Sequence, residues 1–356
     1  MSAAASLRCS LLACLLAAAA VAPDASADVL AGRFSTLEST NTVSRFTAAQ
    51  SGDVAPVAVL GGPATTLNGA GSLFHDAPMR ELWISDFEGQ QIAIFDVDAA
   101  GATAPKRRFS SPLMGQPRSA RIMANRSEVA VISINCCISF FDAQASGSVS
   151  PLRRIAWGGV SGSQTQLNNP SGFDYAPSRD RLFVGDYRAE GSAFVGRVLR
   201  FNRTAETNAA PHSILEGPQT LLGSYVPAIV VDEVAGEMFV LTPDAATGAG
   251  AMAILVFGVD DAGNVAPRRR IAGPSTGLVN ALAMVLDQAR GELVVASGAF
   301  GATPALRVFP RNGDGNLAPL RSISGAATGV TGSSGWYSLA VVPARERIFS
   351  SGFELP

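Results

Sequence analysis

Six phenylalanines, each followed ten positions later by a proline, apolar runs of strand length recurring in the same order around each pair, and glycine- or asparagine-bearing turns between them predict one fold class. That class is all-β: a six-bladed β-propeller with four antiparallel strands per blade. The pairs are Phe46 and Pro56, Phe95 and Pro105, Phe141 and Pro151, Phe201 and Pro211, Phe257 and Pro267, and Phe309 and Pro319. Successive phenylalanines stand 49, 46, 60, 56 and 52 residues apart. A fixed core with variable connections is how stacked repeats behave.

Within a unit, a continuous apolar run such as residues 228–231 or 281–286 reads as an inner strand buried on both faces. A β-rich run follows, as in residues 292–296, then an alternating run that ends in the phenylalanine, as in 306–309. After the turn, residues 321–323 alternate again as an outer strand. The second and third strands are expected to be intermediate in burial. The outer strands carry Lys106-Arg107-Arg108, Arg153-Arg154 and Arg268-Arg269-Arg270, expected as a solvated edge whose charge discourages edge-to-edge pairing. Asp76, Asp232 and Asp287 fall between first and second strands, where a carboxylate can bond its own backbone.

The two ends belong to one blade. Residues 29–34 and 42–46 lack an inner strand of their own, and residues 338–342 have no phenylalanine and proline pair after them, so the last segment closes the ring. Residues 29–34 and 347–350 are both candidates for the second strand of that blade. Upstream, Arg8, the apolar residues 11–22 and Ala25-Ser26-Ala27 have the order of a secretory signal over residues 1–27, cleaved before Asp28. Residues 28–356 are then one propeller domain, periplasmic or extracellular. Cys14 precedes most of the apolar run, the wrong order for lipidation, and no run reaches the ~20 residues of a spanning helix, so no membrane anchor is expected. A net charge of −2, a single lysine and basic groups spread round the circumference exclude a nucleic-acid footprint.

The blade pattern has a Pro-initiated inner strand, a second strand opened by Glu or Arg, a third ended by Phe, and an Ala-Pro-x-Arg-x-Ile-x-Gly fourth. It resembles the NHL-like repeat propellers of bacterial exported proteins over residues 28–350. The resemblance implies binding of a protein, glycan or small ligand, with a minority of hydrolases on the same architecture. Residues 348–354 also resemble a short tail found on some exported bacterial proteins.

Gly273-Pro274-Ser275-Thr276-Gly277 matches a serine-hydrolase pattern, yet Gly62-Pro63-Ala64-Thr65 and Gly217-Pro218-Gln219-Thr220 hold the same place without serine, so Ser275 reads as a blade linker. His75 and His212 lie in different strand contexts, which leaves a serine without a base. Asn312, Asp314 and Asn316 have the alternate spacing of a calcium loop but lack its glycine and its bidentate glutamate. Calcium is thus the one candidate cofactor, and no catalytic group is assigned. Cys136 and Cys137 fall in a turn between second and third strands, either as a strained vicinal disulfide or as two free thiols.

Ligand sites of propellers lie at one face of the channel, among the loops entering the inner strands and the turns between second and third strands. By that geometry the candidate ligand residues are Arg118, Arg121, Asn169, Tyr225, Asn280, Trp336 and Tyr337, with Cys136 and Cys137 at the rim. The reading is an exported, non-enzymatic binding or scaffold protein. The alternative is a metal-assisted hydrolase resembling calcium-dependent gluconolactonases, disfavoured by the scarcity of carboxylates in the entering loops.

Overall fold

The computed structural model describes residues 27–34, 41–134, 137–156, 163–244, 246–330 and 335–343. The described chain is nearly all β, with six sheets of four antiparallel strands arranged as the blades of a ring. β1 (Asp28–Phe34), β2 (Val43–Thr47) and β3 (Ala58–Leu60) belong to the first blade. β4 (Ala70–Asp76), β5 (Glu81–Asp86), β6 (Gln91–Asp96) and β7 (Arg107–Ser110) form the second. β8 (Pro117–Ile122), β9 (Glu128–Ser133), β10 (Cys137–Asp142) and β12 (Arg153–Ala156) form the third, whose short β11 (Gly147–Ser148) pairs in parallel with β7. The fourth holds β13 (Phe173–Ala176), β14 (Arg181–Glu190), β15 (Ala193–Asn202) and β16 (Ser213–Leu215). The fifth holds β17 (Ala228–Asp232), β18 (Glu237–Pro243), β19 (Met252–Gly258) and β20 (Arg269–Ile271). The sixth holds β21 (Ala283–Asp287), β22 (Glu292–Ser297), β23 (Ala305–Pro310) and β24 (Arg321–Ile323).

β25 (Gly335–Val342) returns to pair with β1, from Asp28 opposite Val342 to Phe34 opposite Gly335, and becomes the inner strand of the first blade. Of the two candidate second strands, β1 therefore holds the place. Residues 347–350 lie outside the described residues.

Each repeat phenylalanine is buried against the preceding blade. Phe95 packs in the core between blades one and two, Phe141 between two and three, Phe201 between three and four, and so on to Phe46, which packs with Trp336 between six and one. The core is thus six inter-blade clusters in a closed circle. Truncating one such phenylalanine to alanine costs about 3–5 kcal/mol. The proline half of the repeat precedes the first residue that pairs with the third strand. Val57, Lys106, Leu152, His212, Arg268 and Leu320 each donate a backbone N–H to that strand at 2.6–2.8 Å, and proline ahead of them has no N–H to leave unpaired.

The glycine turns have a second task. Parallel bridges run from Leu60 to Gly101, Phe109 to Gly147, Ile155 to Thr207, Leu215 to Gly263, Ile271 to Gly315 and Ile323 to Gly52, so every outer strand is fastened to the next blade and the last fastening closes the ring. The five glycines take φ between +62° and +81°, where a side chain is strained. The following Asx residue adds a cap in four blades: Asp53, Asn208, Asn264 and Asn316 accept backbone N–H groups of Ala327, Gln164, Gln219 and Ser275 at 2.7–2.8 Å.

Two expectations are corrected. The inner strands are not the most buried: β4 and β17 mix buried and half-exposed residues because they line the channel, whereas β5 is buried along its whole length. The outer-strand arginines are only partly a solvated edge. Arg107, Arg153, Arg269 and Arg321 each grip the glutamate that opens the second strand, with paired N–H···O bonds of 2.6–3.2 Å to Glu81, Glu128, Glu237 and Glu292. Three of them also donate to a carbonyl of the next blade, at Ala143, Ala205 and Arg311. Bidentate charge-assisted bonds of this kind fix geometry as well as adding energy.

The inner-strand aspartates also differ among themselves. Asp232 and Asp287 accept backbone N–H groups from Ala235 and Arg290, as expected. Asp76 instead takes both oxygens to Arg126 of the next blade, at 3.0 and 2.7 Å.

Candidate functional site

The six inner strands converge on the axis, and small residues of these strands and the loops entering them, Ser72, Ser119, Ser171, Ala228, Ala283 and Ser338, are among those that line the space there. Small side chains leave a cavity of about 370 Å³ at the end of the channel where the inner strands begin. A second cavity of about 230 Å³ lies beyond it, and Arg121, Leu73, Met284 and Leu339 line both.

Arg121 sits between the two. Its Nε donates to Asp174 Oδ1 at 3.0 Å, its Nη1 donates to Ser119 Oγ at 3.1 Å, and its guanidinium stacks 5.4 Å from the Phe74 ring. Asp174 uses its other oxygen to accept the Val231 N–H at 2.8 Å. The charge of Arg121 is therefore compensated inside the channel wall.

Arg118 stands nearer the mouth, and its surroundings are aromatic. Its guanidinium lies 5.8 Å from the Phe87 ring, and among the described residues it has neither a hydrogen bond nor an ion pair. Burial pulls it below the ordinary arginine value, with Tyr225 and Tyr337 acting the other way. The same two phenols are raised by burial, opposed by the Arg118 charge. Phe34 makes edge contacts with Phe87 at 6.1 Å and with Tyr337 at 5.2 Å, and Phe300 meets Tyr337 at 5.9 Å. These rings form a collar at the mouth of the cavity that Arg118 also lines.

Of the sequence-derived candidates, Arg118, Arg121 and Tyr337 line the cavity, and Tyr225 stands close enough to Arg118 for their charges to interact. Trp336 does not. The two-residue period of β25 turns Tyr337 to the channel and Trp336 into the inter-blade core, where it is fully buried and T-shaped against Phe46 at 6.0 Å. Asn169 and Asn280 also fall outside the lining. Asn169 fastens the entering loop, its N–H donated to Asp186 at 2.6 Å and its amide to the Tyr187 hydroxyl at 2.9 Å. Asn280 donates its amide to the Ala299 carbonyl at 3.2 Å.

The collar residues Phe34, Phe87 and Phe300 were not candidates from the sequence, nor was Asp174. The first three occupy the end of β1 and the turns after β5 and β22, which is the place the geometric rule indicates, but each is an isolated aromatic in its own stretch of chain.

Cys137, expected at the rim, lines neither cavity; at the start of β10 it is disulfide-bonded and fully buried, with its sulfur 3.6 Å from Ser139 Oγ and accepting from Arg154 Nη2 at 3.0 Å. Cys136 lies outside the described residues. Ser275 belongs to a single 3-10 turn, Pro274–Thr276, between blades, and donates its N–H to Asn316 at 2.8 Å. His75 is on the inner strand of the second blade and His212 at the outer strand of the fourth. Asp314 accepts the N–H groups of Arg270 and Gly315 at 2.9 and 3.0 Å, and with Asn316 engaged by Ser275 the loop oxygens serve a latch, a use that does not fit a calcium cage. Among the described residues, no three His, Cys, Asp or Glu side chains gather as a metal site.

No family model matches the chain, and no curated protein matches it. Solved structures do. The chain is similar to the Cps50 (Swd1) β-propeller domain of Myceliophteria thermophila, with 12% identity, 83% of this chain and 86% of that one covered, and a TM-score of 0.50. It is also similar to a chain of the nidogen/laminin complex, with 11% identity, 90% and 99% covered, and a TM-score of 0.54. At such identities the likeness shows the fold alone, and that fold is the β-propeller.

Proposed function

We propose that the chain is an exported, non-enzymatic binding or scaffold β-propeller that takes its partner, a protein, glycan or small molecule, at the collared mouth of the channel. One observation carries the reading: Arg118, a cation without a protein counter-charge among the described residues, lines the same cavity as the rings of Phe34, Phe87, Tyr337 and Phe300, the last 68% exposed. Concave, mostly apolar sites with a few polar groups are where ligands bind. The hydrolase alternative needs several free carboxylates in the channel. Asp174, the carboxylate among the described lining residues, is engaged by Arg121 and the Val231 N–H. Export rests on the order of Arg8, the apolar residues 11–22 and the small residues before Asp28. A likeness to a chain crystallised in a protein complex, nidogen with laminin, agrees with a partner-binding role.

A thermal-shift screen of glycans, peptides and small metabolites, repeated on Tyr337→Ala, tests the reading. Hits are expected to raise the melting temperature of the unmodified protein and to lose that effect in the variant. Turnover of a lactone panel in calcium-containing buffer, or hits indifferent to Tyr337, would contradict it.

A further inference from the structure

The mouth of the channel carries an uncompensated charge of one. Arg121 is neutralised by Asp174 at 3.0 Å, no other charged side chain is among the described residues lining the larger cavity, and Arg118 lacks an ion pair or hydrogen bond there. A half-buried guanidinium left in that condition is unfavourable, since it has given up part of its hydration without gaining acceptors. Its planar fork of N–H donors matches a carboxylate in two parallel bonds. A monoanion balances the single charge, whereas a dianionic phosphate would leave one negative charge unmatched in an apolar collar.

The rest of the site fixes what accompanies the anion. Phe34, Phe87 and Tyr337 line the same cavity as Arg118, with the Phe87 ring 5.8 Å from its guanidinium, and Leu73, Ile229 and Met284 continue the apolar wall. The hydroxyls of Ser72 and Ser119 lie 3.1 Å apart and share one hydrogen bond, so one of their two protons stays available to an acceptor in the cavity. A space of about 370 Å³ falls within the ~300–1,000 Å³ of small-molecule sites.

We propose that the channel mouth binds a small organic carboxylate, its carboxylate held by Arg118 and its aryl or alkyl body packed within the collar of Phe34, Phe87 and Tyr337. This rests on the binding reading above and names the ligand class for the same site.

The experiment is calorimetric titration of the full chain with a matched set: 4-phenylbutyrate, its amide, 4-phenylbutylamine, acetate and phenyl phosphate. The butyrate is expected to bind, the amide at least tenfold more weakly, the amine and acetate weakest, and the phosphate more weakly than the butyrate. Arg118→Gln should weaken the butyrate at least tenfold and bring acid and amide to equal affinity, while Arg118→Lys retains part of the preference. The acid-to-amide ratio is read on the unmodified protein, so a misfolded variant does not decide the outcome. Equal binding of acid and amide, tighter binding of phosphate or amine, or an acid affinity unchanged in Arg118→Gln would overturn the proposal. If the amide or amine binds as tightly as the butyrate and Tyr337→Ala weakens it, the carboxylate assignment fails while the binding reading stands. If no member of the set binds, the carboxylate assignment fails, and the binding reading falls with it only if the wider screen also shows no Tyr337-dependent hit.

Discussion

Arg121 and Asp174 face each other from neighbouring inner strands, with Arg121 Nε donating to Asp174 Oδ1 at 3.0 Å, and this ion pair compensates the Arg121 charge inside the channel. Removing one partner leaves a partly buried charge alone, a loss of several kcal/mol in a dry interior. At 20% and 17% side-chain exposure, solvent screens part of it. Asp174→Asn is expected to lower the unfolding free energy by about 1–3 kcal/mol, read from urea melts. Combining Arg121→Met with Asp174→Leu, which leaves no orphan charge, should cost less than the single change, and a larger cost would contradict this account of the pair.

Closure of the ring by β25 gives a second expectation. Removing residues 335–356 takes away the inner strand paired with β1 and the Trp336 ring that packs on Phe46. It leaves the edge of β1 exposed to pair with other chains. The shortened protein should aggregate or melt without a cooperative transition, by calorimetry and light scattering. A melting curve like that of the full chain would rule out closure through the C-terminal strand.

The glutamate and arginine clamps predict a pH dependence. Hydrogen bonds from Arg321 hold Glu292 below its ordinary 4.5 against the effect of burial, and those from Arg269 do the same for Glu237. At Glu81 burial pushes upward most strongly, yet Arg107 and Lys106 together bring the carboxyl below 4.5. A carboxyl whose pKa is lower folded than unfolded stabilises the fold fully above about 4.5 and loses that contribution as pH falls through the folded value. Glu237→Gln with Glu292→Gln should therefore destabilise by about 1–2 kcal/mol per clamp at pH 7 and by less at pH 3. Parallel curves for variant and unmodified protein between pH 7 and 3 would argue against the clamps. Burial raises Asp86 and Asp186, whose contributions run the opposite way, so the difference between variant and unmodified protein is the quantity to follow.

The Phe and Pro spacing makes the blades legible because both residues answer to backbone geometry that recurs: a buried inter-blade ring, and a start to the outer strand that needs no N–H. The site is legible only in part. Arg118 and Tyr337 follow from the rule that loops at one face meet the axis, but Trp336 and Tyr337 differ only by parity along β25, and one residue of register exchanges core for channel. Phe34, Phe87 and Phe300 come from three blades and share no motif, so only the closed ring brings them together. The arginine groups read as solvated charge because their glutamate partners stand 25 to 32 residues earlier, a separation that carries no local pattern.

On the proposed export, mass spectrometry of the mature protein should find its first residue at Asp28, the start of β1, where the Asp28 carboxylate is buried and pairs with Arg45 at 3.2 Å. The same non-reducing digest should contain the Cys136-Cys137 peptide two daltons lighter than the dithiol. A retained leader, or both thiols alkylated in the native protein, would contradict these expectations. Closing so small a loop removes almost no entropy from the unfolded chain, so replacing both cysteines by serine should leave the melting temperature nearly unchanged.

The central claim is that Arg118 is the charged anchor of a ligand site, and its guanidinium can be watched directly. In an arginine-Nε-labelled sample, with the Arg118 resonance assigned by its loss in Arg118→Lys, titration of 4-phenylbutyrate should shift that signal in a saturable way and leave the Arg121 signal, held by Asp174, nearly in place. An Arg118 resonance that stays still while the acid binds, or that shifts equally for the amide, would contradict the account.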